Sequence, residues 1–219
     1  MKINRIAKGI VLGAIVVVGS TAQAGVFVGD TVKYTISDDV GLFGTAFVDG
    51  DTLKLLPTDF KAESINGAGA ALTNETITIT VESLTGQNLL NASLEESGDY
   101  MKYNIGGGVN EVSVTGQLRA GALFDAIEPT AGFSPTGLSI SPWEATANLD
   151  LSGLTTSKTV LTLENLLAAV TTVKPDIAFI EKKFVALDVT AIPIPGAVWL
   201  FGSAVLGLIA AGRSKRVAS

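Results

Sequence analysis

Between Thr76 and Val81 the chain reads Thr-Ile-Thr-Ile-Thr-Val, and a strict two-residue period of this kind fits an extended strand with one face on an apolar interior and the other in water. A helix would scatter those branched side chains around its axis. The same alternation runs from Thr31 to Ser37, where Val32, Tyr34 and Ile36 share one face, so Tyr34 is expected in the core. It returns in Asp99 to Ile105, Glu111 to Arg119, Thr146 to Leu151, Thr159 to Leu163, Ile177 to Glu181 and Phe184 to Val189. Thr45-Ala46-Phe47 and Thr52-Leu53-Lys54-Leu55 flank Asp49-Gly50, a dipeptide suited to the positive φ angles of a type I′ hairpin turn. Glu164 to Val170 is open to two readings, a short helix or a buried strand, and the following Thr171-Thr172-Val173 favours the strand. About ten strands with closely spaced turn signals predict an all-β fold, an antiparallel β-sandwich of jelly-roll type, over residues 25–190.

Composition narrows the chemistry. The chain has no cysteine and no histidine, which excludes disulfides, thiolate or imidazole metal sites and every nucleophile relay that depends on those residues. No enzymatic activity is expected. All 21 Asp and Glu lie between Asp30 and Asp188, where only nine of the 15 Lys and Arg accompany them. A body this acidic repels a phosphate backbone, so nucleic acid is not an expected partner; cations or basic polymers fit better.

The two ends read as processing segments. Lys2, Arg5 and Lys8 precede the apolar run Ile10 to Val18, and Ala22 and Ala24 supply the small residues that a signal peptidase accepts before Gly25. Residues 1–24 are therefore expected to be a secretory signal peptide cut between Ala24 and Gly25. The other reading, an uncleaved anchor helix, suffers from an apolar run about half the ~20 residues a bilayer requires. At the far end, Val189 to Gly212 carries no charge, and Ala197 to Ala211 is apolar apart from Gly and Ser. This predicts a transmembrane helix over 197–211, with Arg213, Lys215 and Arg216 retained on the cytoplasmic side and the acidic domain outside. Pro193 and Pro195 keep the approach to that helix extended.

Ile192-Pro193-Ile194-Pro195-Gly196-Ala197-Val198-Trp199-Leu200-Phe201-Gly202-Ser203, followed by Leu206-Gly207-Leu208 and Arg213-Ser214-Lys215-Arg216, resembles the PEP-CTERM sorting domain. That family joins a proline signature, a short membrane helix and a basic tail, here carried by Pro193, Pro195, Trp199, Phe201, Gly202, Arg213, Lys215 and Arg216 in residues 191–219. No Glu stands between the prolines; Ile194 in that place resembles the Val-Pro-Leu-Pro branch. The resemblance implies processing by an exosortase after export across the inner membrane of a Gram-negative bacterium that makes exopolysaccharide. The precursor would be membrane-anchored and the mature form at the cell surface or in the extracellular matrix. Gly41-Leu42-Phe43-Gly44, Asp49-Gly50-Asp51-Thr52-Leu53, Leu72-Thr73-Asn74 and Glu96-Ser97-Gly98-Asp99-Tyr100 are similar to the β-rich body of some proteins that carry this tail.

Few residues in the body point to a site. The paired carboxylates Asp38-Asp39 and Glu95-Glu96 would suit glycoside hydrolysis, but neighbours on a strand face opposite ways, which makes them loop or edge charges. Asp49 and Asp51 form a turn that could gather oxygen ligands for weak Ca²⁺ binding. No other cofactor is expected. Trp143, in a loop-like stretch after Pro142, is the leading carbohydrate-contact candidate, with a sealing role at the sandwich edge as the competing reading. Tyr100 and Tyr103 are the other candidates, and their spacing puts them on opposite faces of a strand. Gly106-Gly107-Gly108 reads as a turn. The expected function is a structural or adhesive component of the cell surface or polysaccharide matrix. A lectin-like carbohydrate-binding module is the alternative and a secreted hydrolase a distant third.

Overall fold

The computed structural model describes residues 25–191. Its thirteen strands are, in chain order, β1 (Gly25–Val28), β2 (Val32–Ile36), β3 (Thr45–Asp49), β4 (Thr52–Leu56), β5 (Lys61–Ile65), β6 (Gly69–Ser83), β7 (Leu89–Tyr103), β8 (Asn110–Ala120), β9 (Leu123–Ala126), β10 (Glu128–Pro129), β11 (Ser141–Asp150), β12 (Lys158–Thr171) and β13 (Ile177–Ala191). Two short 3₁₀ turns, Gly41–Phe43 and Ser152–Leu154, interrupt them. One sheet has the order β1-β2-β6-β12-β8-β9 and the other β10-β11-β7-β13-β4-β3, with β5 also paired to β13. Every pairing is antiparallel.

The two sheets pack face to face as a sandwich. Thr76, Thr78 and Thr80 of β6 face outward while Ile77, Ile79 and Val81 are buried, as alternation requires of a strand with one wet face. Tyr34 has no exposed surface. Facing them from the second sheet are Leu94 on β7, Trp143, Ala145, Ala147 and Leu149 on β11, and Ile180, Val185, Leu187 and Val189 on β13. The long strands β6, β7, β8, β11, β12 and β13 alternate between sheets, so most connections cross the sandwich. The nested hairpins of a jelly roll are not formed by this order.

Glu164 to Val170 takes the favoured strand reading, as part of β12 paired on both sides. Other elements differ from the expectation. Trp143 lies within β11 rather than in a loop. β7 starts ten residues before the predicted Asp99, at Leu89, because Leu90 and Asn91 interrupt the simple alternation at its start. Ile177 to Glu181 and Phe184 to Val189 are halves of a single strand. A bulge between Lys182 and Phe184 shifts the inward parity from Ala178, Ile180 and Lys182 to Val185, Leu187 and Val189. The β3–β4 turn has positive φ at Gly50 (62°) and not at Asp51, which is the II′ arrangement in place of I′.

Candidate functional site

The inward register that buries leucines also carries three polar side chains to the middle of the core. On β12, Asn165 follows Leu161 and Leu163 and precedes Leu167 and Ala169 on the same face. Lys182 takes the corresponding place on β13 after Ala178 and Ile180, and Glu96 sits on β7 two residues beyond Leu94. Asn165 is fully buried, and Glu96 and Lys182 each keep 2% of their surface. Glu96 is thus a core residue and not the loop or edge charge expected of Glu95-Glu96. The error has a simple cause: only one of two adjacent carboxylates can point inward, and the parity of β7 selects Glu96.

The three groups satisfy one another. Lys182 Nζ donates to Oε2 of Glu96 and to Oδ1 of Asn165. Asn165 Nδ2 donates to Oε1 of Glu96 at 2.6 Å. Three aromatic rings surround the amine, with centroids 5.2 Å (Phe60), 5.9 Å (Phe43) and 6.0 Å (Trp143) from Nζ. Phe43 and Phe60 meet edge to face at 5.4 Å. Burial pushes the Lys182 amine down to about 8 against the opposing pull of the Glu96 charge and hydrogen bond.

Two glycines bring the neighbouring backbones close. Gly98 lies between Trp143 and Lys182 in the register, and a Cβ there would come within 1.9 Å of the Glu181 carbonyl oxygen. Gly116 pairs with Asn165, and its Cβ would lie 2.1 Å from the Glu164 carbonyl oxygen. A glycine inside a strand is the sequence signal that marks such a close approach. The inward parity of Asn165 and Lys182 is a second such signal, but neither says which strands meet.

The residues singled out from sequence fall elsewhere. Trp143 keeps 5% of its surface, and its ring N–H donates to the Glu181 carbonyl at 3.0 Å. Tyr100 keeps 7%, accepts from the Ser134 amide at 3.2 Å and stacks edge to face on Phe133. Both border a shallow depression of about 220 Å³ with Thr130, Gly132, Phe133 and Glu144, while Tyr103 lies half-buried on the other face of β7. Asp49 pairs with Lys54 at 2.5 Å. Asp51 accepts from the Thr31 amide (2.7 Å), the Thr31 hydroxyl (2.6 Å) and the Val32 amide (3.3 Å). Partial burial raises its carboxyl, but those donors together hold it below the usual carboxylate range. These carboxylates are occupied by protein donors, and among the described residues no three acidic side chains gather as a metal group.

Gly25 pairs with Ile36 at the start of β1. The remaining processing residues, Ala22, Ala24, Pro193, Pro195, Trp199, Phe201, Gly202, Arg213, Lys215 and Arg216, lie outside the described residues, as does the 197–211 segment. No helix among the described residues is long and apolar enough to cross a membrane.

No protein-family model and no curated protein matches the chain. Among solved structures, one of the infectious bursal disease virus Gt strain aligns at 10% identity with a TM-score of 0.17, over 80% of this chain and 57% of that one. The chain thus spans little more than half the length of that structure, and a likeness this slight carries no argument.

Proposed function

We propose that the chain is an exported, non-enzymatic structural or adhesive component of the bacterial cell surface or exopolysaccharide matrix. In this reading a signal peptidase cuts before Gly25, and an exosortase acts on the tail that begins with Pro193 and Pro195. One observation supports a scaffold over a binding module: the aromatic side chains best suited to a sugar platform are spent on the interior. Trp143 and Tyr100 are almost wholly buried, and each has its polar atom bonded within the domain. The acidic body, with its long self-paired strands, offers bulk and solubility more readily than a concave ligand site.

The test is the mature mass and location of the full chain in a Gram-negative host with and without an exosortase. The expected product starts at Gly25 and, only in the exosortase-containing strain, lacks the tail beyond the proline pair. A C-terminus ending at Ser219 in both strains would overturn the sorting half of the proposal. The alternative, a carbohydrate-binding module, is favoured by the depression beside Tyr100 and Trp143. Saturable glycan binding lost on Glu144→Ala would establish that alternative in place of the scaffold.

A further inference from the structure

Inside the sandwich, Lys182, Asn165 and Glu96 bring an amine, a carboxamide and a carboxyl group into mutual contact, the three groups that amide exchange requires. The amine touches Oδ1 of Asn165, one bond from the carbonyl carbon Cγ. Glu96 spans the two nitrogens concerned: Oε2 contacts Nζ, and Oε1 accepts from the amide Nδ2 at 2.6 Å. The amide of Asn165 thus touches both partners of the buried pair, with its carbonyl on the amine and its nitrogen on the carboxyl group. We propose that the chain modifies itself here, Lys182 Nζ and Asn165 Cγ joining in an isopeptide bond that ties β13 of one sheet to β12 of the other.

The chemistry is closed within the cluster. Lys182 passes one proton to Oε2 of Glu96, which becomes the acid, and is left as the neutral amine, a change that its burial favours. Its lone pair attacks Cγ, and the C=O electrons move to Oδ1 to give a tetrahedral intermediate. Glu96, in its acid form, gives its proton to Nδ2 through one oxygen and takes one from Nζ through the other, so it ends as it began. The oxygen lone pair then re-forms the C=O bond as the Cγ–Nδ2 bond breaks, and ammonia leaves. Amine and primary amide become secondary amide and ammonia, with nothing oxidised or reduced. Phe43, Phe60 and Trp143 surround Nζ, where positive charge develops on attack, and exclude the water that would compete for Cγ. The backbone approaches at Gly98 and Gly116, each paired directly with one of the two joined residues, help fix the strands that carry them. Escape of ammonia from the core makes the single turnover irreversible in practice.

The purified full chain, denatured and digested with trypsin, decides the matter. Both partners fall in the peptide from Thr159 to Lys183, because Lys174 precedes Pro175 and resists cleavage. The expected peptide is lighter by one ammonia, uncut after Lys182, and yields no backbone fragments between Asn165 and Lys182. Glu96→Gln, which keeps the shape but not the proton transfer, should restore the linear mass and cleavage after Lys182. Asn165→Asp should give the same bond with loss of one water. Should the Glu96 variant fail to fold, the wild-type and Asn165→Asp digests still decide. A wild-type chain with a strand spectrum, a linear peptide mass and a cleavable Lys182 would overturn the proposal. So would loss of ammonia with Lys182 still cleavable, since that marks a succinimide at Asn165.

Discussion

Gly98→Ala adds one methyl group at the centre of the second sheet, where β7 lies between β11 and β13. The backbone at Gly98 lies outside the left-handed region, so alanine suffers no conformational penalty there. Its Cβ would nevertheless stand 1.9 Å from the Glu181 carbonyl oxygen and 2.9 Å from the Lys182 Cα. Both are backbone atoms in a paired strand, so no side-chain rotation relieves the overlap and the strands must part. Overpacking of this sort costs about 1–3 kcal/mol, and a backbone obstacle belongs near the top of that range. Loss of unfolded-chain entropy returns about 0.4–1 kcal/mol. The net destabilisation is about 2 kcal/mol, which for a domain of this size lowers Tm by about 4–8 °C. Gly132→Ala is the matched control: a Cβ there meets nothing within 4 Å and φ is not positive, so Tm should hold or rise slightly. Melting of both variants by circular dichroism reads the difference. If Gly98→Ala melts at or above the wild-type temperature, the close approach of β7 and β13 is not what requires glycine at that position.

Leu163→Ala, at a fully buried position of β12, should cost about 2–5 kcal/mol in urea titration without a change in slope. Asp176 is fully buried and its Oδ1 accepts from the amides of Ile105 (3.0 Å) and Gly106 (2.8 Å), so Asp176→Ala should cost about 1–3 kcal/mol and speed amide exchange at those two residues. The folded pKa of Asp51 is depressed, so its stabilising contribution is complete above the unfolded carboxylate value of about 4 and is lost as pH falls through the lower folded value. Asp51→Asn should therefore flatten the acid side of the Tm-against-pH curve, and an unchanged curve would refute this assignment. Lys102, which donates to Glu111 at 3.0 Å and to the Phe133 carbonyl at 3.1 Å, should on change to Ala leave global unfolding almost intact while raising exchange at the Ser134 and Thr136 amides.

Strand identity was legible wherever Thr or charge alternates with a branched apolar residue, as in Thr76 to Val81 and in β2. Partnership was not. Nothing near Thr76 in the sequence says that it faces Glu164 across the ladder, because that choice depends on how both sheets share one core. The four-residue strands β1 and β9 carry too few residues for a period to emerge, and in β5 the inward places are held by Ala62 and Ser64, which give little apolar signal. The central cluster escaped for a related reason. Glu96, Asn165 and Lys182 each look like one polar residue in a different strand, and only the packing of the sheets makes them neighbours. Lys182 was further obscured by the bulge, which breaks the alternation just beyond it; Lys183 points the other way, to the half-buried Asp99 and Glu181.

The position of β13 bears on when the chain can fold at all. It is the last of the described strands, yet it lies in the middle of its sheet, with β7 on one side and β4 and β5 on the other. Until Ile177 to Ala191 has been synthesised, those three strands have no partner along that seam, and the inner face of the first sheet lacks Ile180, Val185, Leu187 and Val189 to pack against. Ladder formation must then wait for contacts between distant parts of the chain, which makes collapse to the native state slow. The second sheet is therefore completed only when this last described strand arrives, and until then the earlier strands cannot close the sandwich.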